Sequence, residues 1–89
     1  MTESAIQRQI IDYLNSKNIY NFKIIACNKK GTPDIFCLIN GLALFLEVKT
    51  KKGKVSKLQN YQIDRINELG GKAKIVRSVD DVKNIIMSL

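Results

Sequence analysis

The chain has 89 residues, enough for one hydrophobic core and too few for two, so we expect a single domain over residues 1–89. Its composition, 45% hydrophobic and 26% charged, indicates a globular protein, and no apolar run approaches the ~20 residues of a membrane span. The 15 basic against 8 acidic residues give a net charge of +7 and favour a polyanionic partner, while the absence of histidine excludes imidazole chemistry.

The N-terminal part of the chain predicts a helix followed by a strand. Thr2 can cap a helix that runs to about Lys17, with apolar side chains at helical spacing on one face. The alternation from Tyr20 to Cys27 then predicts a half-buried strand. Cys27 and Cys37 lie in apolar surroundings without a partner at metal-ligand spacing, so we expect buried free thiols rather than a disulfide or a zinc site.

The next segment predicts a β-hairpin with a definite register. Two apolar runs, 35–39 and 42–48, are joined by Asn40-Gly41, the strongest short hairpin signal in a sequence. Counting outward from a two-residue turn gives the pairs Ile39–Leu42, Cys37–Leu44 and Ile35–Leu46. One further step places Asp34 opposite Glu47, so that two carboxylates share one face, unless a bulge shifts the register.

The remainder of the chain predicts helix, strand and helix. Ser56 can cap a helix to about Leu69, which Gly70-Gly71 ends. Lys74–Val76 reads as a short strand, and Ser78 can cap the last helix. The order is therefore αβββαβα, an α/β fold in which a right-handed crossover gives a mixed four-stranded sheet flanked by helices.

The hairpin count also predicts a site. Lys49 lies two residues beyond Glu47 and points to the same face. Like charges opposite each other destabilise a hairpin, and a divalent cation is the usual group that offsets this cost. Asp34, Glu47 and the Val48 backbone carbonyl could provide oxygen ligands for Mg²⁺ or Mn²⁺, with Lys49 acting on water and phosphate. The alternative is that Asp34 caps a turn and that Glu47 and Lys49 form a solvated strand end.

These residues carry a family resemblance. The segments Gly31-Thr32-Pro33-Asp34 and Glu47-Val48-Lys49, followed by Gln59, resemble the VRR-NUC family (virus-type replication–repair nucleases) of the PD-(D/E)XK superfamily, over essentially the whole chain. The resemblance implies a minimal nuclease domain with the restriction-endonuclease-like core. It also implies that Asp34 and Glu47 bind the metal, that Lys49 is the catalytic lysine and that Gln59 supports the site. Glu3 is a further candidate ligand, and a helix-dipole role for it is equally plausible.

Two lysine-rich segments bracket the predicted site. They precede Asp34 and follow Lys49, and we expect them to contact DNA phosphates rather than serve solubility alone; they comprise Lys29, Lys30, Lys51, Lys52, Lys54 and Lys57. The aromatic side chains are expected mostly in the core, which leaves no exposed aromatic platform for reading bases: Tyr13, Tyr61, Phe22, Phe36 and Phe45. We therefore expect DNA recognition by shape.

The first functional hypothesis is a divalent-metal-dependent DNA endonuclease that acts on branched, flap or Holliday-junction-like DNA. We expect it to act as a homodimer in prokaryotic or phage-infected cytoplasm, not at a membrane. Its expected process is DNA repair, with replication or repair proteins as partners. The second hypothesis is a non-catalytic basic nucleic-acid-binding module. A third is a protein-interaction domain with a merely soluble basic surface. The Asp–Glu–Lys set favours the enzyme.

Overall fold

A computed structural model describes residues 1–89, and its element order confirms the predicted αβββαβα arrangement. None of its helices has the length and apolar composition that crossing a bilayer requires. The elements are α1 (Glu3–Ser16), β1 (Tyr20–Lys23), β2 (Ile35–Ile39), β3 (Leu42–Val48), α2 (Lys57–Glu68), β4 (Lys72–Val76) and α3 (Val79–Met87).

Each helix begins at a predicted hydroxyl cap. The Thr2, Ser56 and Ser78 side chains accept hydrogen bonds from the backbone N–H groups three residues further on. These bonds satisfy donors that the first turn of a helix would otherwise leave unpaired.

The four strands form one sheet in the order β1-β2-β3-β4. The first three strands are antiparallel neighbours, and β4 is parallel to β3, as the predicted crossover requires. At the hairpin, Asn40 and Gly41 have φ angles of 48° and 82°, the left-handed conformation that a tight two-residue turn needs. The three counted pairs, Ile39–Leu42, Cys37–Leu44 and Ile35–Leu46, are confirmed.

The two faces of the sheet are covered unequally. Helices α1 and α3 pack together on one face and enclose the main core, which consists of Ile6, Ile10, Leu14, Ile35, Cys37, Leu44, Leu46, Val48, Val76 and Val82. Helix α2 packs beside β4 on the other face. A row of aromatic rings, Phe22, Phe36 and Phe45, crosses that second face with ring centroids 5.0 and 5.2 Å apart. No helix packs on the part of this second face that carries the three rings.

The prediction for the first strand is wrong in its length and burial. β1 ends at Lys23, because the Ile24 N–H makes the last cross-strand bond, to the Asp34 carbonyl, and Pro33 has no N–H to continue the pairing. Cys27 consequently lies outside the sheet and is exposed, whereas Cys37 is buried as predicted.

The prediction that aromatic side chains are mostly in the core is also wrong. Tyr20, Phe22 and Tyr61 are 65%, 47% and 57% exposed. An apolar residue type in a strand pattern does not reveal whether another element covers its face. Helix α1 contacts β1, yet the face of β1 that carries Tyr20 and Phe22 stays open to solvent. The protein therefore has an exposed aromatic surface that the sequence pattern does not predict.

Candidate active site

The acidic side chains meet where the hairpin ladder ends. Glu47 is the penultimate residue of β3, and Asp34 directly precedes β2. The Asp34 N–H donates to the Leu46 carbonyl at 3.0 Å, although Leu46 already faces Ile35 in the register. The backbone pairing therefore becomes irregular at Asp34, the kind of deviation that a β-bulge introduces.

Despite this irregularity, the Asp34 and Glu47 side chains come together. The Asp34 Oδ2 atom accepts a hydrogen bond of 2.8 Å from the Val48 N–H, which fixes its carboxylate at the end of β3. The pKa of Glu47 is raised from its ordinary 4.5 to about 8, chiefly by burial and in addition by the charge of Asp34 and a hydrogen bond with it. In the metal-free protein, Glu47 therefore holds a proton at neutral pH.

One oxygen of Glu47 has no partner. Glu47 is 2% exposed, and its Oε1 atom is buried without a hydrogen bond. A buried acceptor in this state is costly and needs an explanation. Carboxylate oxygens are ligands that Mg²⁺ and Mn²⁺ prefer, so the donor set of Asp34 and Glu47 fits such a cation, with the Val48 carbonyl beside it. No three Asp, Glu, Cys or His side chains are grouped closely enough to hold a metal, so water or substrate oxygens would have to complete the shell.

Gln59 lies against this carboxylate pair, as the predicted inward orientation requires. Its Oε1 atom accepts from the Ser56 N–H at 2.9 Å, which completes a capping box at the start of α2. The same bond turns the Nε2 group toward Glu47, and its distance to Glu47 Oε2 is 3.4 Å. One amide therefore ties the beginning of α2 to the acidic pair.

Lys49 lies at the same edge and is 9% exposed. Its backbone N–H donates to the Val76 carbonyl at 3.0 Å, which fixes the residue beside the end of β4. Its positive charge acts to lower the pKa of Glu47, against the larger raising effect of burial. The two ion pairs of the protein are Arg65–Glu68 and Lys83–Asp80, so the Lys49 ammonium group has no carboxylate within 4.0 Å.

The first turn of α1 also faces the site. Glu3 is half-buried, and its charge contributes to the raised pKa of Glu47. One turn later, the buried Gln7 leaves its Oε1 atom without a partner. Sequence reasoning missed Gln7, although a polar residue four positions after Glu3 on the inward face of an amphipathic helix is a recognisable signal.

The lysines predicted to contact DNA are all exposed; they are Lys29, Lys30, Lys51, Lys52, Lys54 and Lys57. The first lysine segment packs on the start of α2, because the Gln62 Nε2 group donates to the Lys30 carbonyl at 3.1 Å. A Cβ atom at Gly31 would lie 2.8 Å from the Leu58 Cγ atom, and the φ angle there is +80°, so this close approach requires glycine. The two lysine segments thus meet at the first turn of α2, where Lys57 lies.

Sequence reasoning also missed Arg77, which follows β4. Its guanidinium group contacts the backbone of the second lysine segment. The available signal was positional: parallel pairing of β3 with β4 brings the residue after β4 to the edge of the sheet where Lys49 lies.

Comparisons with known proteins agree with this architecture. The VRR-NUC domain model matches residues 2–80. A solved structure described as a VRR_NUC domain superposes with a TM-score of 0.83 at 21% identity, covering 98% of this chain and 97% of that one. A second, described as a VRR_NUC domain protein, gives 0.79 at 19% identity, with 99% and 87% covered. None of the curated proteins compared matches the chain.

Proposed function

The chain belongs to the VRR-NUC family of nuclease domains, and we propose that it is a divalent-metal-dependent DNA endonuclease selective for branched, flap or junction DNA. The observation that carries the proposal is the buried Glu47 carboxylate, which faces Asp34 and leaves one oxygen unpartnered. A purely structural strand end would expose this side chain to solvent.

In the proposed reaction, each residue has a distinct task. Asp34, Glu47 and the Val48 carbonyl would hold Mg²⁺ or Mn²⁺. The bound cation would polarise a phosphoryl oxygen and acidify a water molecule. Lys49, which no carboxylate neutralises, orients the attacking water and stabilises negative charge on the phosphate. Gln59 keeps the Glu47 side chain in place from α2.

DNA binding is proposed for the exposed lysines that flank this edge of the sheet. They meet at the first turn of α2, so a phosphate backbone passing the acidic pair would contact both lysine segments. The positive end of the α2 dipole adds to this field. Lysine contacts with phosphates carry no base-sequence information directly, which supports selection by DNA shape.

The proposal includes a homodimer, which the uncovered apolar surface supports. A groove of about 930 Å³ lies between α2 and the segment after β1, with Phe45 among its lining residues. Ile25 and Leu69, which also line it, are 87% and 74% exposed. Monomeric proteins rarely leave a large apolar patch uncovered, and a two-fold pairing of this patch would place two sites in one assembly, as a junction substrate requires.

The test is a cleavage assay on supercoiled and four-way DNA with Mg²⁺, Mn²⁺ or EDTA. We expect the parent protein to cut only with metal, and Lys49→Ala to lose at least ~100-fold in rate while still binding DNA. Lys74→Ala is the matched control, since Lys74 is exposed on β4, outside the proposed contacts, and should cut like the parent. Normal cutting by Lys49→Ala would refute the mechanism. Metal-independent binding without cutting would identify a non-catalytic nucleic-acid-binding module.

A further inference from the structure

The segment after Lys49 is held by one side chain. The Nη1 atom of Arg77 donates to the Thr50 carbonyl at 2.7 Å and to the Gly53 carbonyl at 2.8 Å, and the Lys51 carbonyl lies 3.4 Å away. The backbone of Arg77 is itself fixed, because its N–H donates to Asp81 Oδ2 at 2.8 Å. A rigid strand end therefore carries a guanidinium group around which the segment folds.

Little else holds this segment, residues 50–54. The Gly53 N–H donates to the Thr50 carbonyl at 3.0 Å, and every other hydrogen bond that the segment makes comes from Arg77. Lys51, Lys52 and Lys54 are exposed and repel one another. Without Arg77 the segment would have one backbone bond against this repulsion, so its conformation depends on the arginine.

We infer that Arg77 is a positioning residue. It orders the 50–54 segment, before DNA binds, as a phosphate-binding loop beside Lys49. This inference rests on the proposed function, in which the three lysines of the segment contact DNA. Three backbone carbonyl oxygens surround the Nη1 atom of Arg77, so this nitrogen shapes the loop while the lysines stay free for phosphate. A loop ordered before binding loses less conformational entropy when the DNA arrives.

The first readout is hydrogen exchange at the Gly53 amide in the free protein. We expect Arg77→Ala to accelerate this exchange at least tenfold while the amides of Ile10 and Leu14, in the core of α1, keep their protection. Arg77→Lys should restore part of the protection, because all three contacts come from one nitrogen that a lysine can replace. Arg8→Ala, at an exposed arginine on α1, is the control and should change nothing.

The second readout is a double-mutant cycle on junction DNA binding in EDTA, over a range of salt concentrations. The cycle combines Arg77→Ala with a triple alanine variant of the three loop lysines. If Arg77 acts through the loop, its substitution alone weakens binding at least tenfold, lowers the salt slope by about 2–3, and adds little to the triple variant. A direct phosphate contact by Arg77 would instead lower the slope by about 0.9, add fully to the triple variant and leave Gly53 protected.

That second pattern would overturn the inference, and so would unchanged Gly53 exchange in Arg77→Ala. If Arg77→Ala does not fold, Arg77→Lys and the triple variant still complete the cycle. Neither readout requires cleavage. If the parent protein binds DNA through the loop and does not cut it, the proposed enzymatic function is wrong and the positioning role of Arg77 stands. If the parent cuts normally and the effects of the substitutions are additive, the positioning role is wrong and the enzymatic function stands.

Discussion

Replacing Glu47 by Gln should stabilise the metal-free protein, and only at neutral to alkaline pH. Folded Glu47 keeps its proton up to about pH 8, whereas in the unfolded chain it loses the proton near 4.5. Between these values the folded state binds more protons than the unfolded state, so the parent protein loses stability as pH rises from about 4.5 to about 8. Glutamine is neutral at every pH in this range, so the variant does not lose stability in this way as the pH rises.

The displacement of the Glu47 pKa from 4.5 to about 8 sets an upper bound of about 5 kcal/mol, at about 1.4 kcal/mol per pKa unit. Water that enters the pocket relieves part of this cost, so we expect a gain of about 1–3 kcal/mol. For a domain of this size, that gain corresponds to a rise in Tm of at least ~4 °C at pH 8. At pH 5 the two proteins should melt together.

The assay is thermal unfolding by circular dichroism in EDTA from pH 5 to pH 9. Glu68→Gln is the matched control, because the Glu68 side chain is 62% exposed and its substitution should give no stability difference that grows between pH 5 and pH 8. Adding Mg²⁺ or Mn²⁺ at pH 8 should raise the Tm of the parent and not that of Glu47→Gln. A Glu47→Gln variant that is less stable than the parent at every pH would refute the reasoning.

The remaining predictions concern three other positions. Asp34→Asn keeps an acceptor for the backbone N–H that Asp34 binds, so in EDTA its Tm should equal or exceed that of the parent, whereas Asp34→Ala should melt lower by about 1 kcal/mol of stability. Cys27 is exposed and its hydrogen bond with a threonine hydroxyl lowers its pKa, while burial raises the pKa of Cys37 to about 12, so a thiol reagent should label only Cys27 in the folded protein. Ile25→Asp should reduce the molar mass in light scattering to that of a monomer, and Met87→Asp, equally exposed on α3, should not.

The sequence predicts the fold well where local chemistry determines it. Asn40-Gly41 dictates a tight turn, the turn dictates the register, and three hydroxyl residues mark where helices begin. The predictions from sequence fail where the packing between elements determines whether a residue is buried. Phe22 has the spacing of a half-buried strand residue whether or not a helix covers its face, and in this protein none does. Cys27 is exposed for a related reason, because the strand before it loses its partner at Pro33.

The site illustrates the same division. Counting from the turn correctly places Asp34 near Glu47, yet the Asp34 N–H bonds to Leu46, so the two residues are not a regular cross-strand pair. The two carboxylates are brought together by the contacts of their side chains rather than by regular cross-strand pairing. The role of Arg77 could not be predicted from spacing, because it depends on how the 50–54 segment folds after its strand has ended.

The position of Glu47 within the sheet explains why this pair carries so much of the proposed chemistry. β3 is an interior strand, paired with β2 on one side and with β4 on the other, where Glu47 faces Ile75. A carboxylate on an edge strand could turn outward to water, whereas this one is held between two neighbours and under Gln59. Lys49 and Gln59 offset only part of its negative charge, and a proton or a metal cation can offset the rest. Competition between these two makes cation binding release a proton, so apparent metal affinity should rise with pH up to about 8 and then level off.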